Sequence, residues 1–196
     1  MSTLVPTPQE IIDFRYQYFP YQEMYPQWAD EESQRLTQIM PSEVQIVHFG
    51  STAVPGLSGK RIIDLMLVVP VGADQLSTEP TDLITLLEEQ NYSHRPKIRI
   101  DEQRWFLQRF EFLADGGMRG FHIHIVKVLP GKTPWEIAFR DYLLTHPDDC
   151  ARYEELKQAA VVAASHEITK EAKREAYSQT KEPFILGIMA KISPKI

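Results

Sequence analysis

Residues 61–69, RIIDLMLVV, constrain this chain more than any other stretch. Both alternating sets are apolar, Ile62, Met66 and Val68 on one side and Ile63, Leu65, Leu67 and Val69 on the other. A strand at a sheet surface alternates; one that is apolar throughout is covered on both faces. The rest of the chain offers the covers. The spacing predicts helices from Pro26 to about Ile39, over 81–90, 134–145 and 147–164, and from Thr169 to about Lys191 with a bend at Pro183. Further strands are predicted over 44–49, 105–113 and 121–129, the last two joined by the glycine-rich loop ADGGMRG. Residues 1–24, with prolines at 6, 8 and 20, read as an arm with a short helix at 8–16. No repeat or linker divides residues 1–196, so a single domain is expected.

The same strand carries one carboxylate, Asp64. Among apolar neighbours it costs several kcal/mol unless paired, protonated or bound to a cation. Before it runs GSTAVPGLSGK, residues 50–60. Gly50 and Ser51 close the preceding strand, and Pro55-Gly56 is a turn signature that exposes backbone amides. Those amides, with the Ser51 and Thr52 hydroxyls, are groups that a phosphate or carboxylate would use. Gly59-Lys60 is not a Walker loop, because the spacing puts Val54 and Arg61 where a glycine and a hydroxyl are needed and a strand follows. Two readings stay open. Either a cation lies between Asp64 and the loop, or Asp64 pairs with Lys60 or Arg61 and the loop is a plain hairpin.

Net charge decides against a generic polyanion binder, with 21 basic against 27 acidic residues. The basic residues Arg95, Lys97, Arg99, Arg104 and Arg109 read as a solvated strand edge in preference to a phosphate wall. No apolar run approaches the ~20 residues of a membrane helix. The opening MSTLVPTPQE has no export segment, and the lone Cys150 fits a reducing compartment, so a cytoplasmic protein that binds no membrane is expected. The stripes Trp135-Ile137-Phe139-Tyr142-Leu143 and Tyr153-Leu156-Ala160-Ala163 read as core. His48 reads as a structural residue that orients the loop in preference to a contact with phosphate.

Four stretches together resemble one known family. HFGSTAVPGLSGKRIIDLMLVV, HIHIV at 122–126, FRDYLLTHPDDCARYEELK at 139–157 and YSQTKEPFI at 177–185 are similar to the motifs of the GrpB family. The resemblance runs from about Pro20 to Ile188. It implies an α/β fold of nucleotidyltransferase type, a mixed sheet flanked by helices with a helical C-terminal part over 134–192.

In that superfamily a Gly-Ser pair holds a triphosphate and two carboxylates on the next strand bind magnesium. Gly50 and Ser51 match the first element, and Asp64 matches the first carboxylate. Met66 takes the place of the second, and a thioether does not replace a hard oxygen ligand. His122 and His124 stand on the strand where a third acid is expected, two apart and hence on one face. With Asp64 they form a set better suited to zinc, manganese or iron than to magnesium. The alternative for both is hydrogen bonding alone.

The resemblance therefore implies a divalent metal (magnesium, manganese or zinc) at Asp64, His122 and His124. It also implies a nucleoside triphosphate or other phosphorylated small molecule at Gly50, Ser51, Thr52, Lys60 and Lys181. Lys181 lies one helical turn from Tyr177, and the default for it is a solvated surface lysine. Asp64 and His124 are the candidate catalytic residues, for transfer of a nucleotidyl group. The competing expectation is a non-catalytic ligand-binding or accessory module, since related domains occur joined to dephospho-coenzyme A kinase. Oligomeric state is not legible.

Overall fold

The computed structural model describes residues 6–14, 17–71, 78–96 and 104–192. In chain order the elements are α1 (Pro8–Phe14), α2 (Tyr25–Thr37), β1 (Gln45–Phe49), β2 (Ile62–Pro70), α3 (Pro80–Glu89), β3 (Ser93–His94), β4 (Arg104–Phe112), β5 (Met118–Val128), α4 (Trp135–Thr145), α5 (Pro147–Ser165) and α6 (Lys170–Ile192). The strands form one mixed sheet in the order β1-β2-β5-β4-β3. β2 runs antiparallel to β1 and parallel to β5, and β4 pairs antiparallel with both β5 and β3.

The apolar stretch is thus an internal strand, and its two residue sets meet two layers. Ile63, Leu65, Leu67 and Val69 join Leu107, Phe121, Ile123 and Ile125 in the main core with Trp28 and Leu36 of α2 and Leu83 and Leu87 of α3. On the other face Met66 packs with Phe49, Val126 and Ile137 of α4. A further cluster, Phe139, Leu143, Tyr153 and Ile188, seats α4, α5 and α6 on Val54 and Leu57 of the β1–β2 loop. Burial of such side chains contributes about 1.5–3 kcal/mol each. The third helix of this layer runs on through Pro183. Among the described residues no helix is long and apolar enough to cross a membrane.

Two expectations change. The β4–β5 turn is Leu113–Gly117, closed by the Leu113 amide on the Gly117 carbonyl at 2.8 Å, so Met118 to Gly120 belong to β5. Gly120 lies opposite Phe110, whose ring occupies the space of a side chain. Secondly, the basic cluster is no solvated edge. β4 lies between β3 and β5; Arg109 reaches Glu32 at 2.6 Å as well as Glu111, and Arg104 pairs with Glu136. Arg95 is exposed, and Lys97 and Arg99 lie outside the described residues. The N-terminal arm is stitched down onto the domain. Phe14 is buried against Phe19 and Phe110, and Phe19 and Gly59 exchange two backbone hydrogen bonds of 2.9 Å.

Candidate functional site

The β1–β2 hairpin brings the glycine turn against Asp64. Phe49, the last residue of β1, is the register partner of Asp64. Gly50 then takes φ +75° and ψ −169°, a conformation open essentially to glycine alone. A Cβ there would lie 2.6 Å from Asp64 Oδ2, so the absence of a side chain also makes room for the carboxylate. Ser51–Ala53 form a short 3₁₀ turn not expected from the sequence.

The parallel pairing of β2 with β5 sets Asp64 beside His122 and Met66 beside His124. His122 Nδ1 and Asp64 Oδ1 are 3.2 Å apart, so Asp64 meets an imidazole and not the Arg61 that the alternative reading offered. Arg61 instead stands over the Phe19 ring at 4.4 Å. Donor atoms of Asp64, His122 and His124 all lie within 4.8 Å of one another. Tetrahedral zinc with ligand distances of about 2.1 Å places its donors about 3.4 Å apart, so the set would have to draw together to hold one. Phe106 packs edge-on to both imidazoles, with centroids 4.8 and 5.0 Å away, and Phe49 adds a third contact to His124 at 5.1 Å. His122 Nε2 is buried and has no hydrogen-bond partner among the described residues.

Charge states follow from this packing. Burial pushes the His124 imidazolium pKa down to about 4 against the pull of Asp64, so the ring is a neutral donor at pH 7. Burial alone would raise Asp64, but the hydrogen bond and charge of His122, with smaller help from His124 and His48, hold it below the usual carboxylate range. A carboxylate with two imidazoles is a fitting donor set for one zinc or manganese ion. Met66 is fully buried in apolar packing, so the strand offers no second carboxylate to hold a magnesium pair.

Opposite the sheet stands a wall of cations. A cavity of about 250 Å³ is lined on one side by Gly50, Ser51, Asp64 and His122 and on the other by Lys60, Lys157, Tyr177 and Lys181, with Tyr18 and Tyr153 at its margins. Lys60 and Lys181 lie over the Tyr177 ring at 3.7 and 3.9 Å. Lys181 is therefore half-buried in the cavity and not the solvated residue expected by default. Burial lowers its pKa to about 8. Lys157 falls to about 7 through burial and the charges of Lys181 and Lys60, against the opposing charge of Glu154.

Of the residues singled out in the sequence, Gly50, Ser51, Lys60, Asp64, His122 and Lys181 line this one cavity, and His124 joins them through the metal set. Thr52 does not. It is 1% exposed and its hydroxyl is spent on His48 Nε2 at 2.9 Å, so His48 has the loop-orienting role expected of it. Sequence reasoning missed Lys157, 3% exposed, whose ammonium donates to the Ser58 carbonyl while Glu154 accepts from the Ser58 amide and hydroxyl at 2.9 and 2.7 Å. The signal was available. The buried residues of α5 are Tyr153, Lys157, Ala160 and Ala164, so the stripe drawn through Leu156 and Ala163 was one residue out of phase.

A second cavity of about 210 Å³ adjoins the first and shares Gly50, Ser51, Tyr153 and Lys181 with it. Phe49, Trp135, Phe139 and Leu143 supply its apolar walls, so part of the α4 stripe lines a chamber as well as the core.

Residues 17–191 match the family described as GrpB protein. A UPF0157 protein of Pseudomonas aeruginosa is 30% identical over 181 residues, 91% of this chain and 68% of that protein. The glutamate-rich protein GrpB of Alkalihalophilus pseudofirmus is 32% identical over 133 residues, 66% of this chain and 71% of that protein. This chain spans about two thirds of the length of the first relatives it matches. The crystal structure of conserved protein GrpB from Enterococcus faecalis shares the fold, with a TM-score of 0.61 over 88% of this chain and 99% of that one at 24% identity. The five-stranded mixed sheet flanked by helices, with a helical C-terminal layer, is the architecture that was expected. The chain belongs to the GrpB family.

Proposed function

We propose that this protein binds a phosphorylated small molecule, a nucleoside triphosphate being the first candidate, together with one divalent metal at Asp64, His122 and His124. The observation that carries this reading is the facing of that anionic, metal-ready set by Lys60, Lys157 and Lys181 across one cavity. Three ammonium groups drawn together in a partly buried space repel one another, and an anion relieves the repulsion. Phosphate oxygens fit both walls, lysines on one side and metal on the other.

If chemistry follows binding, it is nucleotidyl transfer to an acceptor hydroxyl. The hydroxyl oxygen bonds to the α-phosphorus, the bond to the bridging oxygen breaks, and pyrophosphate departs. A bound metal supplies Lewis-acid polarisation of the phosphoryl oxygens. The chain's own residues do the rest: Asp64 and the imidazoles fix the centre, Lys60, Lys157 and Lys181 take the charge of the leaving group, and the hydroxyl proton leaves to bulk water. The lone Cys150 and the absence of a membrane-length helix among the described residues accord with a cytoplasmic setting.

A second reading has an observation of its own. Met66 fills the place of the second carboxylate with buried thioether, which favours a binding or accessory module without turnover. Calorimetric titration with each nucleoside triphosphate plus magnesium, manganese or zinc, followed by a pyrophosphate assay, separates the two. Metal-dependent pyrophosphate release that Asp64→Asn abolishes supports the enzyme. Binding without release supports the module. No binding by either protein removes the phosphate reading.

A further inference from the structure

Two buried polar atoms beside the metal set, His122 Nε2 and Gln108 Oε1, have no hydrogen-bond partner among the described residues. They belong to side chains that face each other. Gln108 of β4 is the register partner of His122 of β5, so both stand on one face of the sheet, with Cβ atoms about 4.5–5.5 Å apart. The neighbours on β4 identify that face. Leu107 enters the main core and Arg109 reaches Glu32 of α2, whereas Phe106 and Phe110 make T-shaped contacts with the His122 ring at 4.8 and 6.2 Å. Gln108 lies between those two phenylalanines and is 3% exposed. An amide oxygen buried without a donor is costly at a position where an apolar side chain would pack as well.

The other edge of the imidazole shows how that oxygen finds a donor. His122 Nδ1 is 3.2 Å from Asp64 Oδ1, and a carboxylate only accepts, so this contact uses a proton on Nδ1. The same separation is close to the ~3.4 Å between two donors of one tetrahedral zinc ion. A metal held jointly by Asp64 and Nδ1 takes the place of that proton, and the ring then keeps its proton on Nε2. Nε2 is sealed from the cavity, which leaves Nδ1 as the nitrogen open to a metal. The two nitrogens of an imidazole point to nearly opposite sides, and in the sheet order β2-β5-β4 the side away from Asp64 is the one that carries Gln108.

We infer that Gln108 is a positioning residue of the metal set, its amide oxygen accepting the Nε2 proton of His122 when the ring ligates through Nδ1. Rotation of the terminal amide, whose torsion is broad, brings oxygen to nitrogen. The bond fixes both the tautomer and the direction of the ring, and a neutral amide makes it without adding a charge beside Asp64. This rests on the metal reading above, and the test keeps the two apart.

The full-length protein and its Gln108→Leu and Gln108→Glu variants are titrated with zinc and with manganese by calorimetry, thermal unfolding being the check on folding. Heteronuclear NMR of the imidazole nitrogens, with and without zinc, reads which nitrogen of His122 carries the proton. The expected result is that Gln108→Leu unfolds at the wild-type temperature or above, since an orphan oxygen is gone, yet binds zinc about 10–100-fold more weakly. Gln108→Glu keeps an acceptor and restores zinc affinity to the wild-type level or beyond. In the wild-type protein zinc moves the His122 proton from Nδ1 to Nε2.

Equal zinc affinity in wild type and Gln108→Leu, or zinc found on Nε2 of His122, overturns the inference while the metal reading stands. So does a folded Gln108→Glu protein that binds as weakly as Gln108→Leu, because the loss then comes from packing. A wild-type protein that binds neither metal overturns both.

Discussion

Gly50 and Asp64 are packed so closely that a methyl group on the glycine would stand 2.6 Å from the carboxylate Oδ2. The turn is therefore built around the carboxylate and not merely placed near it. Gly50→Ala meets two penalties, the φ of +75° and the contact with Asp64. The expected loss is ~2–4 kcal/mol of stability, together with displacement of Asp64 and loss of manganese or zinc binding. Gly56→Ala is the control, since its φ is +86° and nothing lies within 4 Å of the added carbon. It should cost ~1–2 kcal/mol and leave metal binding intact. Urea unfolding and metal titration of both variants check this; equal metal affinity in the two would show that the Gly50–Asp64 contact has no role.

Met66 tests whether a second carboxylate can be restored. It is fully buried among Phe49, Val126 and Ile137, so Met66→Asp places an unpaired acid in apolar packing. Stability should fall by ~3 kcal/mol or more and metal stoichiometry should stay at one per chain, whereas Met66→Leu should cost less than ~1.5 kcal/mol. Two ions bound per chain of the Met66→Asp protein, with stability recovered on metal addition, would refute the argument.

Glu32 is the acid about which the far side of the sheet is organised. It is 4% exposed and meets Arg35 and Tyr92 at 2.5 Å and Arg109 at 2.6 Å. Burial opposes its ionisation, but the hydrogen bond from Arg35 and the charge of Arg109 hold its pKa below the ordinary value. Glu32→Ala leaves Arg109 leaning on Glu111 alone and strands a buried phenol. A loss of ~3–5 kcal/mol is expected, with nucleotide and metal affinity unchanged because α2 lies across the sheet from the cavity. Denaturant unfolding beside metal titration reads both halves.

How legible this was depended on whether a signal was local. The continuous apolarity of 62–69 required two covers, and the sheet has them; the period-two placing of His122 and His124 required a common face, and they share one with Asp64. Such signals lie within one element. The ion pairs Arg104–Glu136 and Arg109–Glu32 join residues 32 and 77 positions apart, and nothing in the local pattern distinguishes them from surface charges. Thr52 illustrates the same limit, since its side chain had two uses and the fold gave it to His48. The apolar chamber was invisible because its walls also serve as core, and residue type alone does not say which side of a ring faces a void.

Two half-buried histidines, His48 and His124, set the acid limit of the fold. Burial brings the pKa of both His48 and His124 down to about 4, from the 6.5 that an exposed imidazole has in the unfolded chain. Between those values the unfolded state binds more protons than the folded one. The stabilisation from each neutral ring is therefore complete above pH 6.5, declines as pH falls towards 4, and changes no further below that. Each ring can contribute a slope approaching ~1.4 kcal/mol per pH unit in that window. Asp64 and Glu32, whose pKa values are lowered, begin to withdraw their support as pH falls through the ordinary carboxylate values, so the slope between pH 7 and about 5 belongs to the histidines. Unfolding free energy measured by urea from pH 7 to pH 4.5 should fall steadily in the wild-type protein and more shallowly in His48→Gln and in His124→Gln. Zinc added at pH 6 should steepen the wild-type dependence, because protons and metal compete for His124, and should leave the His124→Gln curve unmoved. A flat wild-type profile, or variants that retain the full slope, would mean that these imidazoles are not held neutral by burial.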